Sequence, residues 1–189
     1  GDLDKTLIIF TADHGESLTE HDVYIAHHDP YEVVVKVPLM FYNSKFRPKK
    51  VDALVQNIDI FPTILELLGI DIPKGIDGKS LLSLVKGQSK KLREFVFFDD
   101  NLFGEYMIKK SRRKLGVRFK NFKYIKTLEG KDEDLFNPVP LNAKTVKEEL
   151  YDLSNDPEER NNLHHVQKDI LIKLEKILQV QIDSLRKKS

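Results

Sequence analysis

The chain has 189 residues, of which 40% are hydrophobic, so it is long enough for one ordinary core or for a core with a small satellite domain. A formal net charge of +1 supplies no field that would recruit nucleic acid or an anionic membrane, so neither is expected as a partner. The absence of cysteine excludes a disulfide framework and a thiol nucleophile, and it leaves the compartment open. Because no apolar run approaches the length of a membrane span, we expect no membrane helix in this segment.

The first predicted element is a strand over Thr6 to Ala12, whose near-continuous apolar run is typical of a strand buried on both faces. Such a strand needs neighbouring strands and crossover helices, and the segments that follow do not supply them. A polar, histidine-rich loop covers residues 13 to 30. A second apolar run over residues 33 to 42 predicts another strand, which Pro38 restricts to an edge or a bend.

Two kinds of periodicity follow along the rest of the chain. A helix is predicted over Ile60 to Leu68, with Asp59 as its N-cap and Gly69 as the residue that closes it, and a short helix covers residues 80 to 85. Beyond a polar stretch at residues 88 to 92, the pattern predicts an antiparallel sheet with strands at residues 95–98, 106–110, 114–119, 122–127 and 149–153. Residues 129 to 147 predict a mobile loop, and an apolar stripe from residue 170 to residue 185 predicts an amphipathic terminal helix.

Four of the six histidines fall between residues 14 and 28, among several acidic residues. A strand that ends in Asp13-His14-Gly15 places two ligand-type side chains at the carboxyl edge of a sheet, where α/β proteins bind ligands. Asp supplies a hard oxygen and His a borderline nitrogen, so the pair could contribute to a site for Ca²⁺, Mg²⁺, Mn²⁺ or Zn²⁺. The alternative is that Asp13 caps the following turn and the histidines are solvated, and spacing alone leaves both open.

Three further residues of this loop carry expectations. We expect Gly15 to let the backbone turn sharply behind the Asp-His pair. His27 and His28 could donate a hydrogen bond to an anionic substrate or protonate a leaving group, because imidazole titrates near neutral pH. They could also be surface histidines, which the residues alone favour.

Four stretches, in this order, resemble the carboxy-terminal half of the sulfatase family, within the alkaline-phosphatase superfamily. They are residues 6–16, 31–39, 57–70, and 149–159 with the Asn162-Leu163 pair that follows. The resemblance implies an α/β fold class: the carboxy-terminal portion of an α/β/α sulfatase-like fold, with a small antiparallel sheet packed by a terminal helix. Residues 1–88 would be part of the α/β catalytic core, and residues 89–189 would form the small subdomain.

The same resemblance implies the roles of four residues. In this family the Asp at the strand end and the Asn or His after it bind a divalent cation together with two acidic residues of the amino-terminal half, which indicates Asp13 and His14. The expected cation is Ca²⁺ by family, although an imidazole ligand would suit Mn²⁺ or Zn²⁺. A cationic or His side chain four residues before the family's Tyr-Glu pair contacts the sulfate or the bridging oxygen, which indicates His27, with His28 as the second candidate.

The family's nucleophile is a formylglycine made from Cys or Ser in a Cys/Ser-x-Pro-x-Arg motif, and no such motif occurs in this sequence. We therefore interpret the chain as a fragment of an enzyme that hydrolyses the sulfate esters of a small molecule or glycan, inactive without its amino-terminal half. One alternative is a phosphodiesterase, phosphonate hydrolase or phosphoethanolamine transferase of the same superfamily, because Asp-His-Gly-Glu-Ser also occurs there. Another is a non-catalytic binding module, against which the unpaired apolar strand at residues 6–12 argues.

Overall fold

A computed structural model of the protein describes residues 2–22, 27–102, 112–130 and 139–188. Within these residues there are six strands: β1 (Ile8–Thr11), β2 (Leu39–Tyr42), β3 (Phe95–Leu102), β4 (Arg112–Phe119), β5 (Phe122–Glu129) and β6 (Lys144–Asp152). The described part of the chain also contains four α-helices: α1 (Glu32–Val35), α2 (Ile60–Leu67), α3 (Leu82–Val85) and α4 (Lys168–Lys188). None of the helices in the described residues combines the length and the apolar character needed to cross a membrane.

The chain forms two compact units. The first unit consists of Gly1–Asp13 and Val37–Val96, and the second unit consists of His14–Lys36 and Phe97–Ser189. The histidine-rich loop therefore belongs to the same unit as the small antiparallel sheet. The predicted division of the chain at residue 88 stays a prediction.

In the first unit, β1 and β2 pair antiparallel, with Ile8 opposite Tyr42 and Thr11 opposite Leu39. The expectation of a strand buried on both faces is wrong for this unit, since Ile8 is 41% exposed and Phe10 is 57% exposed. Within the described residues β2 is the strand that pairs with β1, and one face of this two-stranded ribbon stays on the surface. An apolar run therefore predicts the strand itself but not what covers it.

The second apolar run does not form the single strand that its valines predict. Residues 32 to 35 form the short helix α1, and the strand β2 begins only at Leu39, after Pro38. The backbone N–H groups of Val34 and Val35 both donate to the carbonyl oxygen of Tyr31, at 2.9 Å each. Tertiary anchoring of the residues at the start of α1, described below, overrides the strand preference of β-branched side chains.

The helix α2 ends as predicted. Gly69 has φ +71°, and the N–H groups of Gly69 and Ile70 donate to the carbonyls of Glu66 and Leu65, which is a Schellman motif. Asp59 occupies the N-cap position but makes no capping hydrogen bond. Its buried carboxylate instead accepts hydrogen bonds from the backbone of Gln56 and Lys79 at 2.8 Å each, and it pairs with Arg93. Asp59 therefore ties separate segments of the first unit together.

The second unit is built on a four-stranded sheet in the order β3-β4-β5-β6, in which β5 pairs antiparallel with β4 and with β6. The turn predicted between β4 and β5 is present, and Lys120 in it has φ 54°. The strand predicted at residues 106–110 lies outside the described residues. The loop predicted from residue 129 to residue 147 is too long, because β5 continues to Glu129 and β6 begins at Lys144.

The sheet is covered on both faces, and alternate residues of β5 mark the two sides. On the helix face, α4 packs against β4 and β5, with Leu174, Leu178 and Ile182 of the predicted stripe buried. On the opposite side, which we name the loop face, Ile125 packs against Tyr31 and Tyr151. Because side chains alternate along a strand, the loop face also carries Lys123, Glu149 and Lys114, all of them buried. The loop face is thus a charged surface placed under the segment that follows the histidines.

Candidate active site

The segment His14-Gly15-Glu16 is fixed by close contact with α1. The Gly15 N–H donates to the carbonyl oxygen of Val34 at 2.7 Å. A Cβ atom at residue 15 would lie 2.0 Å from the carbonyl oxygen of Val33, which leaves no room for any side chain. Gly15 does not adopt the left-handed conformation, so glycine is required here by the close approach of two backbones, and the sharp turn stays a prediction.

We expect Gly15→Ala to destabilise the protein strongly and to displace the neighbouring His14 and Glu16. The added methyl must push α1 away. Overpacking usually costs about 1–3 kcal/mol, and we expect a loss near the upper end of that range. Urea unfolding of the complete polypeptide encoded by the gene would measure this loss. Gly75→Ala is the matched control: its Cβ would meet nothing within 4 Å, so it carries only the strain of φ +86°, about 1 kcal/mol. Equal losses in the two variants would contradict the close-approach explanation.

His14, Glu16 and His27 come together in the second unit. Their ligand-type atoms all lie within 4.8 Å of one another. The rings of His14 and His27 are stacked with centroids 4.2 Å apart, and His27 Nδ1 lies 3.6 Å from a carboxylate oxygen of Glu16. The side chains of His27 and Glu16 are about half exposed, at 52% and 40%. Two imidazoles and a carboxylate at this separation form a donor set that suits a divalent cation.

Asp13 and His28 are the other two predicted site residues. Asp13 directly precedes His14 at the end of the first unit, where its backbone carbonyl accepts a hydrogen bond from Asn57 Nδ2 at 3.2 Å. His28 is partly buried, and its ring centroid is 5.1 Å from that of His27. The structure thus brings His14, His27 and His28 into one cluster, while the metal role of Asp13 stays a prediction.

Sequence reasoning assigned no role to Glu16 or His21. Glu16 lies two residues after His14 in a stretch already singled out, so its spacing was an available signal. His21 stacks on Tyr31 with ring centroids 3.7 Å apart, and burial lowers the pKa of its imidazole. No local pattern predicts that contact, because it depends on the position of α1.

Tyr31 is anchored to the loop face through a shared carboxylate. Its hydroxyl donates to Glu149 Oε2 at 2.8 Å, and the Tyr151 hydroxyl donates to the same oxygen at 2.6 Å. Burial alone would raise the pKa of Glu149, but these two hydroxyls together with the charges of Lys114 and Lys147 lower it. Burial beside this carboxylate raises the pKa of both tyrosines, so both hydroxyls remain donors at neutral pH.

Glu32 is anchored to the same face by buried charges. Lys123 is fully buried and lies between two carboxylates, 3.1 Å from Glu32 and 2.9 Å from Glu159. Arg118 pairs with the second oxygen of Glu32 at 3.0 Å. The backbone N–H of Glu32 donates to Glu159 Oε2 at 2.6 Å. Burial raises the pKa of Glu159, and the charge of Lys123 opposes that rise. These contacts explain why a Tyr-Glu pair and an Asp-Pro-Glu-Glu stretch occur together.

A cavity of about 700 Å³ lies beside this anchor, lined among others by His21, Lys147 and Glu149. Glu20 also lines it, and hydrogen bonds, chiefly from the backbone N–H of Thr19, lower the pKa of Glu20 to about 2. The cavity wall carries the carboxyl groups of Glu20, Glu149, Glu158 and Glu159 and the basic groups of Lys147 and Arg160, so acidic residues are in excess.

Comparison with known proteins identifies the chain as a member of the sulfatases. The family model for N-sulphoglucosamine sulphohydrolase, C-terminal, matches residues 20–188, and the chain belongs to this family. Arylsulfatase K of Mus musculus is 30% identical over 164 residues, which is 85% of this chain and 27% of that protein. Delta 4,5-hexuronate-2-O-sulfatase of Bacteroides thetaiotaomicron is 31% identical over 164 residues, which is 84% of this chain and 30% of that protein. The chain thus spans about 30% of the length of these curated relatives.

Solved structures confirm the expected fold class. A candidate sulfatase from Bacteroides thetaiotaomicron superposes with a TM-score of 0.75 and 29% identity, over 96% of this chain and 37% of that chain. A second structure, in complex with its substrate D-glucosamine-2-N,6-O-disulfate, has a TM-score of 0.74 and 26% identity, over 99% of this chain and 35% of that chain. The predicted carboxy-terminal portion of an α/β sulfatase fold, with its antiparallel sheet and terminal helix, is therefore confirmed.

Proposed function

We propose that this chain supplies one side of the active site of an enzyme that hydrolyses sulfate esters. The observation that carries the proposal is the cluster of His14, Glu16 and His27, whose ligand-type atoms lie within 4.8 Å of one another in a chain of the sulfatase family. Such a cluster can serve both cation binding and proton donation, which are two of the tasks that sulfate-ester cleavage asks of protein side chains.

Asp13 and His14 would hold a divalent cation, together with acidic residues from outside this chain. The donor chemistry fits. His14 Nδ1 lies 2.8 Å from the carbonyl oxygen of Gly15, and in the tautomer that donates this hydrogen bond, Nε2 carries the lone pair, as metal-binding histidines require. Ca²⁺ is the expected ion, and Mn²⁺, Mg²⁺ or Zn²⁺ would also accept an oxygen and an imidazole. A bound cation would polarise the sulfate oxygens as a Lewis acid.

His27 would donate a hydrogen bond to the sulfate or to the bridging oxygen as the ester bond breaks. Its ring stacks on His14, so the donor stands beside the proposed cation ligand, and its half-exposed side chain leaves access for a substrate. A carboxylate oxygen of Glu16 lies 3.6 Å from Nδ1 of this ring. His28, next along the chain, would take this role if His27 does not.

The nucleophile would be a formylglycine on residues outside this chain, because the sequence contains no Cys/Ser-x-Pro-x-Arg motif. On this proposal the isolated chain does not turn over sulfate esters. The substrate would be a sulfated glycan. Support comes from a relative described as a hexuronate-2-O-sulfatase and from a related structure that holds a glucosamine disulfate.

We expect His27→Ala in the complete polypeptide to lower kcat by about 10²- to 10⁴-fold, the usual contribution of a positioned acid, while bound metal stays at the wild-type level. Turnover of a chromogenic aryl sulfate and of sulfated disaccharides would be measured beside metal content by mass spectrometry. His165→Ala, at an exposed histidine far along the chain, is the control and should retain both.

The other outcomes are equally specific. Loss of activity only in His28→Ala would move the donor role to that residue. Loss of metal in His27→Ala would make His27 a ligand instead. Wild-type hydrolysis of phosphodiesters or phosphonates but not of any sulfate ester would overturn the proposed reaction.

A further inference from the structure

The residue that follows the two candidate histidines has an unusual backbone conformation. Asp29 has φ 76°, in the left-handed region that residues other than glycine rarely adopt. Such a conformation costs free energy, and it persists only where the surroundings impose it. At this point the chain turns from His27 and His28 toward Pro30 and the anchored Tyr31.

Two side chains of the sheet, the partly buried Asp100 and the buried Lys114, hold that conformation. The backbone N–H of Asp29 donates to Asp100 Oδ2 of β3 at 2.7 Å. The side chain of Asp29 pairs with Lys114 Nζ of β4 at 2.7 Å, and Lys114 is only 9% exposed. Lys114 Nζ also lies 5.0 Å from the centre of the Tyr31 ring, so its charge contacts both sides of the turn. Asp29 is therefore held through its backbone and through its side chain by adjacent strands.

The turn at Asp29 fixes the position of His27 relative to His14 and Glu16. His27 lies two residues before Asp29, and it must reach the ring of His14 at 4.2 Å and the carboxylate of Glu16 at 3.6 Å. On the other side of that cluster, the close contact of Gly15 with Val33 and Val34 fixes the segment that carries His14. Both halves of the cluster are thus positioned by contacts outside it.

We propose that Lys114 and Asp100 are positioning residues, which hold Asp29 in its left-handed conformation and thereby fix His27 and His28 against His14 and Glu16. Both contact Asp29, and Asp100 also lies close enough to His28 for their charges to interact. The inference gives the small sheet a function in the active site. The expected effect on turnover rests on the proposed function. The expected effect on the position of the loop depends only on contacts within this chain.

The test uses Lys114→Met in the complete polypeptide, which keeps the aliphatic length and removes the charge. We expect kcat for a sulfated disaccharide to fall by about 10- to 100-fold, as for a catalytic group displaced by about 1 Å, with KM and bound metal unchanged. Amide hydrogen exchange in the peptide covering residues 27–36 should become faster. Lys114→Arg, which can still pair with Asp29, should recover both the turnover and the protection.

Lys126→Met is the matched control. Lys126 also lies on the sheet, is 17% exposed and pairs with Glu148 and Glu175 at 3.9 and 3.7 Å, so its loss should leave turnover and exchange at residues 27–36 unchanged. If Lys114→Met does not fold, Asp100→Ala removes the second support of Asp29 and carries the same expectations.

Wild-type exchange and wild-type kcat in Lys114→Met, or equal effects in Lys126→Met, would overturn the positioning role. The two proposals fail differently. If the wild-type polypeptide turned over no sulfate ester, the proposed function would fall, and faster exchange in Lys114→Met alone would still support the positioning of the loop.

Discussion

Asp13→Ala is expected to remove both bound divalent metal and sulfate-ester turnover from the complete polypeptide. A cation held by oxygen ligands depends on each carboxylate for charge neutralisation as well as for geometry. Changes in residues that merely support metal ligands cost about 10- to 100-fold in affinity or activity, so loss of a ligand itself should exceed about 100-fold. Metal content after dialysis and kcat on an aryl sulfate would measure the two effects.

The control for Asp13→Ala is Asp52→Ala, because Asp52 is 83% exposed and pairs only loosely with Lys50, at 3.5 Å. That variant should keep full metal content and full activity. An Asp13→Ala variant that retained metal and turnover would show the assignment of Asp13 as a ligand to be wrong. Loss of turnover with full metal content would assign Asp13 a substrate-binding role.

Lys123→Met is expected to destabilise the protein by about 3–5 kcal/mol, the usual cost of removing one partner of a buried ion pair. Lys123 is fully buried between Glu32 and Glu159, so its loss leaves two carboxylates close together, of which Glu32 still pairs with Arg118. Urea unfolding, followed by a spectroscopic probe, would give the change in free energy.

Two further variants make this second prediction specific. Lys50→Met removes a charge that is 89% exposed and should change stability by well under about 1 kcal/mol. Adding Glu159→Gln to Lys123→Met removes one of the uncompensated carboxylates and should recover part of the loss. If the effects of the two substitutions simply add, without coupling, Lys123 and Glu159 do not act as a pair.

The elements that local periodicity defines were predictable from the sequence. The stripe on α4 buries Leu174, Leu178 and Ile182, and the turn at Lys120 joins two strands as expected. Gly69 closes α2 with a positive φ. In each case a period or a turn residue records a constraint that acts within a few positions along the chain.

Constraints that act over long separations could not be predicted in the same way. Val33 to Val35 form a helix because Tyr31 and Glu32 are held by residues 86 to 127 positions away. Lys123 carries a charge, which a sequence pattern places on the surface, yet it is fully buried. Its environment exists only when α1 and the residues after β6 meet on the same face of the sheet.

In the candidate site, too, some residues could be predicted from local sequence and others could not. The concentration of histidines before residue 29, and the resemblance to sulfatases, indicated His14, His27 and His28, and the structure places these three near one another. Lys114, which supports them through Asp29, had no local signal, since a lysine beside two arginines suggests a solvated strand end. Functional groups that touch a substrate leave a compositional trace, whereas the residues that support them do not.

The two faces of the small sheet differ in the substitutions that they tolerate. On the helix face, apolar side chains meet α4, and an exchange of one apolar residue for another of similar volume usually costs less than about 1.5 kcal/mol. On the loop face, Lys123 and Lys114 each compensate carboxylates that solvent does not reach freely. A single substitution there leaves a charge without its counterion, so homologues that differ at these positions should differ at both partners together. Single apolar substitutions intended to stabilise the protein are therefore best made on α4, whereas on the loop face both members of an ion pair must be replaced together.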